Sequence, residues 1–156
     1  MTVLDFLRHQ FKYDSWANRE QQRMLASLPS PPEQATRLLN HIIAAQWVWL
    51  DRLEYKPQRT AVWPEMALAD SDRQLHELET GWQQYLDGLT EGDLAKDCEY
   101  KNSRGESWSS TTLEILSQLI LHAAHHRGQI SLEIRRSGAT PVPVDYIHAV
   151  RKGFLD

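Results

Sequence analysis

Apolar residues recur every three or four positions in four long segments of the chain, the spacing of amphipathic helices. The first segment predicts a helix over residues 2–28, which Pro29 ends. Its apolar face consists of Leu4, Leu7, Phe11 and Leu25. The middle of this face is polar, at Asp14, Ser15 and Asn18. Such a gap indicates either a solvated turn or a site to which other helices bring polar groups at the same depth.

The second predicted helix starts at a capping box in which Ser30 caps, Pro31 takes the first helical position and Glu33 closes the box. It extends to about Glu54. Residues 55–70 contain two prolines and no sustained helical period, so we predict a long connection there. A connection of this length can run along a bundle and allow some neighbouring helices to lie parallel.

The third predicted helix starts at a second capping box, residues 71–74, and ends near Leu89. Residues 93–110 lack a helical period. Within them, 102–105 read Asn-Ser-Arg-Gly, a turn-forming cluster, and this pattern predicts a short two-stranded hairpin. Because a two-stranded ribbon is marginally stable alone, we expect it to rest on the helices.

The fourth predicted helix is the most regular. It starts at a third capping box, residues 111–114, and Gly138 ends it. The tail, 145–156, forms one short helix or docks loosely. These segments predict an all-α fold: a four-helix bundle with a long crossover connection and a small β-hairpin before the last long helix. We expect a single domain over residues 1–156.

Composition narrows the class of protein further. The chain has 156 residues, of which 41% are hydrophobic and 24% charged, as in ordinary globular domains. Cys98 is the single cysteine, so an intramolecular disulfide framework and a four-cysteine zinc site are excluded. No apolar run has the length of a membrane span, and nothing at the N-terminus resembles a secretory signal. We therefore expect a cytoplasmic protein without a membrane partner.

The charge of the chain argues against nucleic acid as a partner. The formal net charge is −4, and no run of Lys and Arg stands out. Proteins that bind duplexes need clustered cations to displace counterions from phosphate.

Three histidines point to a metal site. His122 and His126 are four residues apart, so they lie on one helix face and can reach a single ion. His41 lies on the apolar stripe of the second helix, near its middle. If these helices cross side by side, the three imidazoles meet and leave one tetrahedral position of a metal open, as in reactive sites. The alternative interpretation is packed or solvent-facing histidines without a metal.

Other polar residues have less defined roles. His125 lies off the direction shared by the histidine pair and is a second-shell or surface group. Asp14 and Asn18 are candidates for the rim of the pocket. Cys98 lies in the predicted hairpin and has no positive neighbour at helical spacing, so we expect it to be inert.

The sequence resembles the DinB-like family, also described as the DNA-damage-inducible group of four-helix bundles. The resemblance is carried by residues 13–18, 40–42 and 122–130, in motif order along nearly the whole chain. It implies one divalent metal ion, which is zinc, nickel, manganese or iron, on His41, His122 and His126. It further implies a homodimer and, for the characterised enzymes, chemistry that uses a low-molecular-weight thiol such as bacillithiol or mycothiol.

Three functions are compatible with this pattern. The first is a metal-dependent thiol S-transferase whose partners are a small thiol and an electrophilic substrate. The second is a metal-dependent hydrolase that uses water at the same position. The third is a metal-holding or ligand-binding bundle without turnover.

Overall fold

The computed structural model describes residues 1–155, and its architecture confirms the predicted helical bundle. The helices are α1 (Val3–Ser27), α2 (Glu33–Leu53), α3 (Leu68–Asp87), α4 (Thr112–Arg136) and α5 (Tyr146–Arg151). A 3-10 helix at Glu91–Ala95 and two antiparallel strands, β1 (Asp97–Lys101) and β2 (Ser107–Thr111), precede α4. Within the described part of the chain, none of the helices combines the length and the apolar character that a membrane span requires.

The long connection between α2 and α3 allows these two helices to run parallel. Asn40, in the first half of α2, donates to the Met66 carbonyl just before α3. Leu50, near the end of α2, lies against Gly81 in the second half of α3. The same ends of both helices therefore meet, as the predicted crossover allows. Helix α2 also packs extensively on α4, and α1 packs on α3.

Capping boxes start both α1 and α4. The box at α4 lies where the sequence predicts it, whereas the box at Thr2 is a finding of the structure that we did not predict from the sequence. Thr2 Oγ1 accepts the Asp5 N–H at 3.1 Å, and the Asp5 carboxylate accepts the Thr2 N–H. Thr111 and Glu114 make the same reciprocal pair at α4. Each box satisfies backbone donors that the first turn leaves without a partner.

Two predicted helix starts are wrong. Helix α2 begins at Glu33, after Pro32, and has no side-chain cap, so Ser30 is not the capping residue. A residue that precedes proline is disfavoured in the helical region, which keeps Pro31 out of the helix. Helix α3 begins one turn earlier than predicted, because Ser71 lies inside the helix and its hydroxyl donates to the Leu68 carbonyl at 2.6 Å.

The predicted hairpin is confirmed and rests on α2. In its register Tyr100 pairs with Trp108, and the turn contains Gly105 at φ +78°, a left-handed conformation that favours glycine. The Arg52 guanidinium lies over the rings of Trp49 and Tyr100, and it donates to the Lys101 carbonyl at 2.9 Å. This contact anchors the ribbon to the bundle.

Candidate metal centre

Three histidine rings meet where α2 crosses α4. The Nε2 atom of His122 lies 3.0 Å from Nε2 of His41 and 3.1 Å from Nε2 of His126. One ring nitrogen from each of the three residues falls within 4.8 Å of the other two. The three residues that the spacing singles out therefore form one cluster that could hold a metal ion.

Hydrogen bonds at the outer ring nitrogens orient the rings of His41 and His126. His41 Nδ1 lies 2.8 Å from the Val62 carbonyl oxygen, so this nitrogen carries the proton and donates it. His126 Nδ1 lies 2.6 Å from Gln129 Oε1, and the same tautomer follows. In both rings the unprotonated Nε2 then faces the cluster. Metal-binding histidines are held in this way, with the outer nitrogen donating to a carbonyl or a carboxylate.

Because the three Nε2 atoms face one another, at least one of their lone pairs has no hydrogen-bond donor within the cluster. With His41 and His126 protonated at Nδ1, both present acceptors to His122 Nε2. A neutral His122 has one N–H in total, so it can donate to one of these two acceptors at most. A cation that accepts all three lone pairs removes this conflict. The ligand separations also suit an ion, because tetrahedral coordination at 2.0–2.1 Å places ligand nitrogens about 3.3 Å apart.

The site is buried on the α2 side and open on the α4 side. His41 is only 6% exposed, because the Trp63 indole stacks on it with ring centroids 3.7 Å apart and planes 6° apart. His122 and His126 are half-buried. The α4 side of the cluster is therefore less covered than the α2 side.

Burial and mutual repulsion favour the neutral form of His41 and His122 by lowering their pKa values. Burial lowers the pKa of His41 below its usual value. It also lowers the pKa of His122, to about 4, and the neighbouring charges of His126 and His41 act in the same direction. Because neutral imidazole is the form that binds metal, these two rings are ready to act as ligands at neutral pH.

The low pKa of His122 predicts that the chelator-treated protein loses stability in mild acid. At pH values well above about 6.5, His122 is neutral in both the folded and the unfolded chain, so its protonation does not lower the free energy of unfolding. Below that pH the unfolded chain binds a proton that the folded chain refuses down to about pH 4. The free energy of unfolding should therefore fall by roughly 3 kcal/mol at most over this window.

Urea unfolding of the chelator-treated protein at pH 7.5 and pH 5 measures this loss. The His122→Gln variant, which cannot titrate at this position, should show a smaller decrease between the two pH values. An equal decrease in the variant would contradict the assignment to His122.

The other three predicted site residues are not part of the cluster formed by His41, His122 and His126. Asp14 and Asn18 bind each other and Arg127, and they line a cavity of about 320 Å³ between α1 and α3. Their predicted place at the rim of the metal pocket stays a prediction. His125 is exposed, and its ring centroid lies 5.0 Å from that of His126, next to the cluster.

Arg127 is the centre of a buried polar network that joins the four long helices. It is 2% exposed, and its Nη1 donates to the Asp14 carboxylate and, at 2.8 Å, to Asn18. Gln46 donates to Asp14 at 2.6 Å and accepts from the Trp82 indole at 3.1 Å. The network places α4, and with it the neighbouring His126, against the other helices.

Two residues of this network, Arg127 and Gln46, could have been recognised from the sequence, because each is a polar residue within an apolar stretch. Arg127 shares the apolar stripe of Ala123 and Ile130, and Gln46 interrupts the longest apolar run of the chain. Charged or amide groups on a core face need partners, so both could have been paired with the polar gap at Asp14. Val62 and Trp63 carried no such signal, because the conformation of the connection decides their positions.

Cys98 lies in a structural position, as predicted. It is buried in β1, and its thiol donates to the Arg52 carbonyl at 3.5 Å. Burial raises the pKa of this thiol above its usual value, which keeps it in the unreactive form.

The fold and the histidine cluster define a class: a helical bundle with three convergent imidazoles that could hold a divalent metal. The sequence model of the DinB family matches residues 1–152. Protein DinB of Bacillus subtilis strain 168 is 24% identical over an alignment of 162 positions, gaps included, that covers 91% of this chain and 92% of that protein. The chain belongs to the DinB family, as the motif resemblance indicated.

Proposed function

We propose that the protein binds one divalent metal ion on His41, His122 and His126 and uses it to transfer a small thiol to an electrophile. The observation that carries this proposal is the convergence of three Nε2 atoms, with Nδ1 of His41 and of His126 held by outer acceptors. Three nitrogen ligands leave a coordination position for a reactant, which a closed four-ligand structural site would not.

The chain itself offers no thiol at this position. Cys98, its single cysteine, is buried in the hairpin with its thiol directed to the Arg52 carbonyl. The reacting sulfur must therefore come from a separate small molecule. A divalent ion in the cluster would supply a positive charge that lowers the pKa of a thiol or a water placed beside it.

In the proposed reaction the thiol loses its proton to the solvent, and its sulfur forms a bond to an electrophilic carbon. The leaving group departs from that carbon with its electron pair. The protein orients the reactants, and burial favours the neutral form of His41 and His122. His122 and His126 present the half-buried, accessible edge of the site, whereas Trp63 covers His41.

A metal- and thiol-dependent rate tests the proposal. We expect the protein loaded in turn with zinc, nickel, manganese or iron to accelerate the reaction of a small thiol with 1-chloro-2,4-dinitrobenzene above the uncatalysed rate. The His122→Ala variant should lack this acceleration. Ester hydrolysis without thiol would instead identify a hydrolase, and metal binding without either activity would identify a non-catalytic bundle.

The homodimer and the cytoplasmic location that the sequence suggests stay predictions. Sedimentation equilibrium of the purified protein measures the mass in solution directly. A mass of twice the chain's 18.1 kDa is expected, and a monomer across micromolar concentrations would contradict the dimer.

A further inference from the structure

An arginine without a carboxylate partner stands beside the histidine cluster. Arg37 precedes His41 by four residues on α2, so both side chains lie on one helix face. Most arginines of the chain form ion pairs, namely Arg8, Arg19, Arg23, Arg59, Arg73, Arg104, Arg127 and Arg136. Among residues 1–155, no carboxylate lies within ion-pair distance of Arg37, so its charge is available to a ligand.

Trp63 connects this charge to the cluster. The Arg37 guanidinium lies over the Trp63 ring, 5.1 Å from its centroid, and the same ring stacks on His41 at 3.7 Å. Guanidinium, indole and imidazole therefore form a continuous row, which we call the Arg37–Trp63–His41 stack. The attraction between the cation and the ring holds the guanidinium beside the site, while its N–H donors stay free.

Charge at the site favours an anionic ligand. Three neutral imidazoles do not compensate the charge of a divalent ion, so the occupied cluster is doubly positive. Arg37 adds a further positive charge on the same side of α2. Asp51, a buried acid near the end of α2, is already paired with Arg59. A bound divalent ion and Arg37 would therefore both attract an anionic ligand.

We propose that the site takes a small molecule that carries a carboxylate, which Arg37 binds while the reactive end of the molecule occupies the open coordination position. Arginine binds carboxylates through paired N–H donors, which gives direction as well as charge. Trp63 is 46% exposed and supplies an apolar wall along the path between the two ends. This inference rests on the proposed function and names the chemical class of its reactant.

Cobalt-loaded protein provides a test that does not depend on turnover. Mercaptocarboxylates from 3-mercaptopropionate to 6-mercaptohexanoate are titrated against the mercaptoalcohols of equal length, and the thiolate-to-cobalt absorption band in the near ultraviolet reports binding. The quantity compared is the ratio of the two dissociation constants at each length. Because both ligands carry the same thiol group, this ratio isolates what the carboxylate contributes.

We expect Arg37→Gln to reduce the preference for the carboxylate by about tenfold at the chain length that spans the stack. Binding of the mercaptoalcohols should not change. Arg37→Lys keeps the positive charge but lacks the paired N–H donors of the guanidinium, so it should retain part of the preference for the carboxylate. Arg23→Gln, a change at an exposed arginine of α1, should have no effect.

The possible failures are distinguishable. If Arg37→Gln leaves the ratio unchanged, or weakens both ligand series equally, the assignment of Arg37 is overturned while the thiol chemistry stands. If the protein binds cobalt and neither series produces the absorption band, both the assignment and the thiol chemistry are overturned. If the wild-type protein takes up no cobalt, the metal centre itself is refuted.

Discussion

Replacing His122 with alanine is expected to abolish stoichiometric metal binding. Its Nε2 lies 3.0 Å from that of His41 and 3.1 Å from that of His126. Its loss therefore leaves only two protein ligands for the ion. Loss of a supporting second-shell group already weakens metal affinity about 10–100-fold, and loss of a direct ligand should exceed the upper end of this range. His41→Ala and His126→Ala should behave similarly.

Elemental analysis of the purified variants after dialysis measures this effect. His76→Ala is the matched control, because His76 is an exposed histidine on α3 that bonds to the Asp72 carbonyl of its own helix. It should keep the wild-type metal content. Full metal content in any of the three cluster variants would remove that residue from the site.

A substitution of Arg127 by methionine is expected to destabilise the fold by about 3–5 kcal/mol. The change keeps most of the apolar volume but leaves the Asp14 carboxylate, which is 3% exposed, without its cation. Gln46 and Asn18 still donate to Asp14, yet neither carries a charge that compensates it. A buried charge without a partner is among the most costly defects that a single substitution creates.

Urea denaturation provides the free energy of unfolding for this series. The Asp14→Leu and Arg127→Met double variant should be less destabilised than Arg127→Met alone, because it removes both charges. Arg136→Met, which breaks the exposed pair with Glu133, should cost at most about 1 kcal/mol. A cost of similar size for Arg127→Met and Arg136→Met would show that the buried pair contributes no more than a surface one.

The helices were predictable from the sequence wherever local chemistry decides them. The threonine cap of α4 lies at the predicted position, since a capping box satisfies its donors within four residues. Helix α1 begins directly after Thr2, within one residue of its predicted start. The same logic failed for α2 and α3. At α2 the second of two prolines keeps Pro31 out of the helix, and at α3 Ser71 bonds back to Leu68 inside the helix. At α2 a steric restriction, and at α3 a different local hydrogen bond, therefore prevented the predicted capping box from forming.

For the candidate metal centre, the sequence by itself determined which side chains can converge. A spacing of four residues places His122 and His126 on one face of a helix in any context, and the apolar stripe of α2 turns His41 inward. These are consequences of helix geometry alone. They sufficed to predict the three residues that the structure brings within 4.8 Å of one another.

Only the tertiary structure decided which partner each polar group finds. Asp14 and Asn18 point into the bundle, as their stripe indicates, but contact Arg127 rather than the histidines. The Val62 carbonyl and the Trp63 ring reach His41 from a connection that has no helical period. Periodicity determines the face of a helix on which a residue lies, whereas the rotation and depth at which helices pack, and the path of a long loop, depend on the whole core.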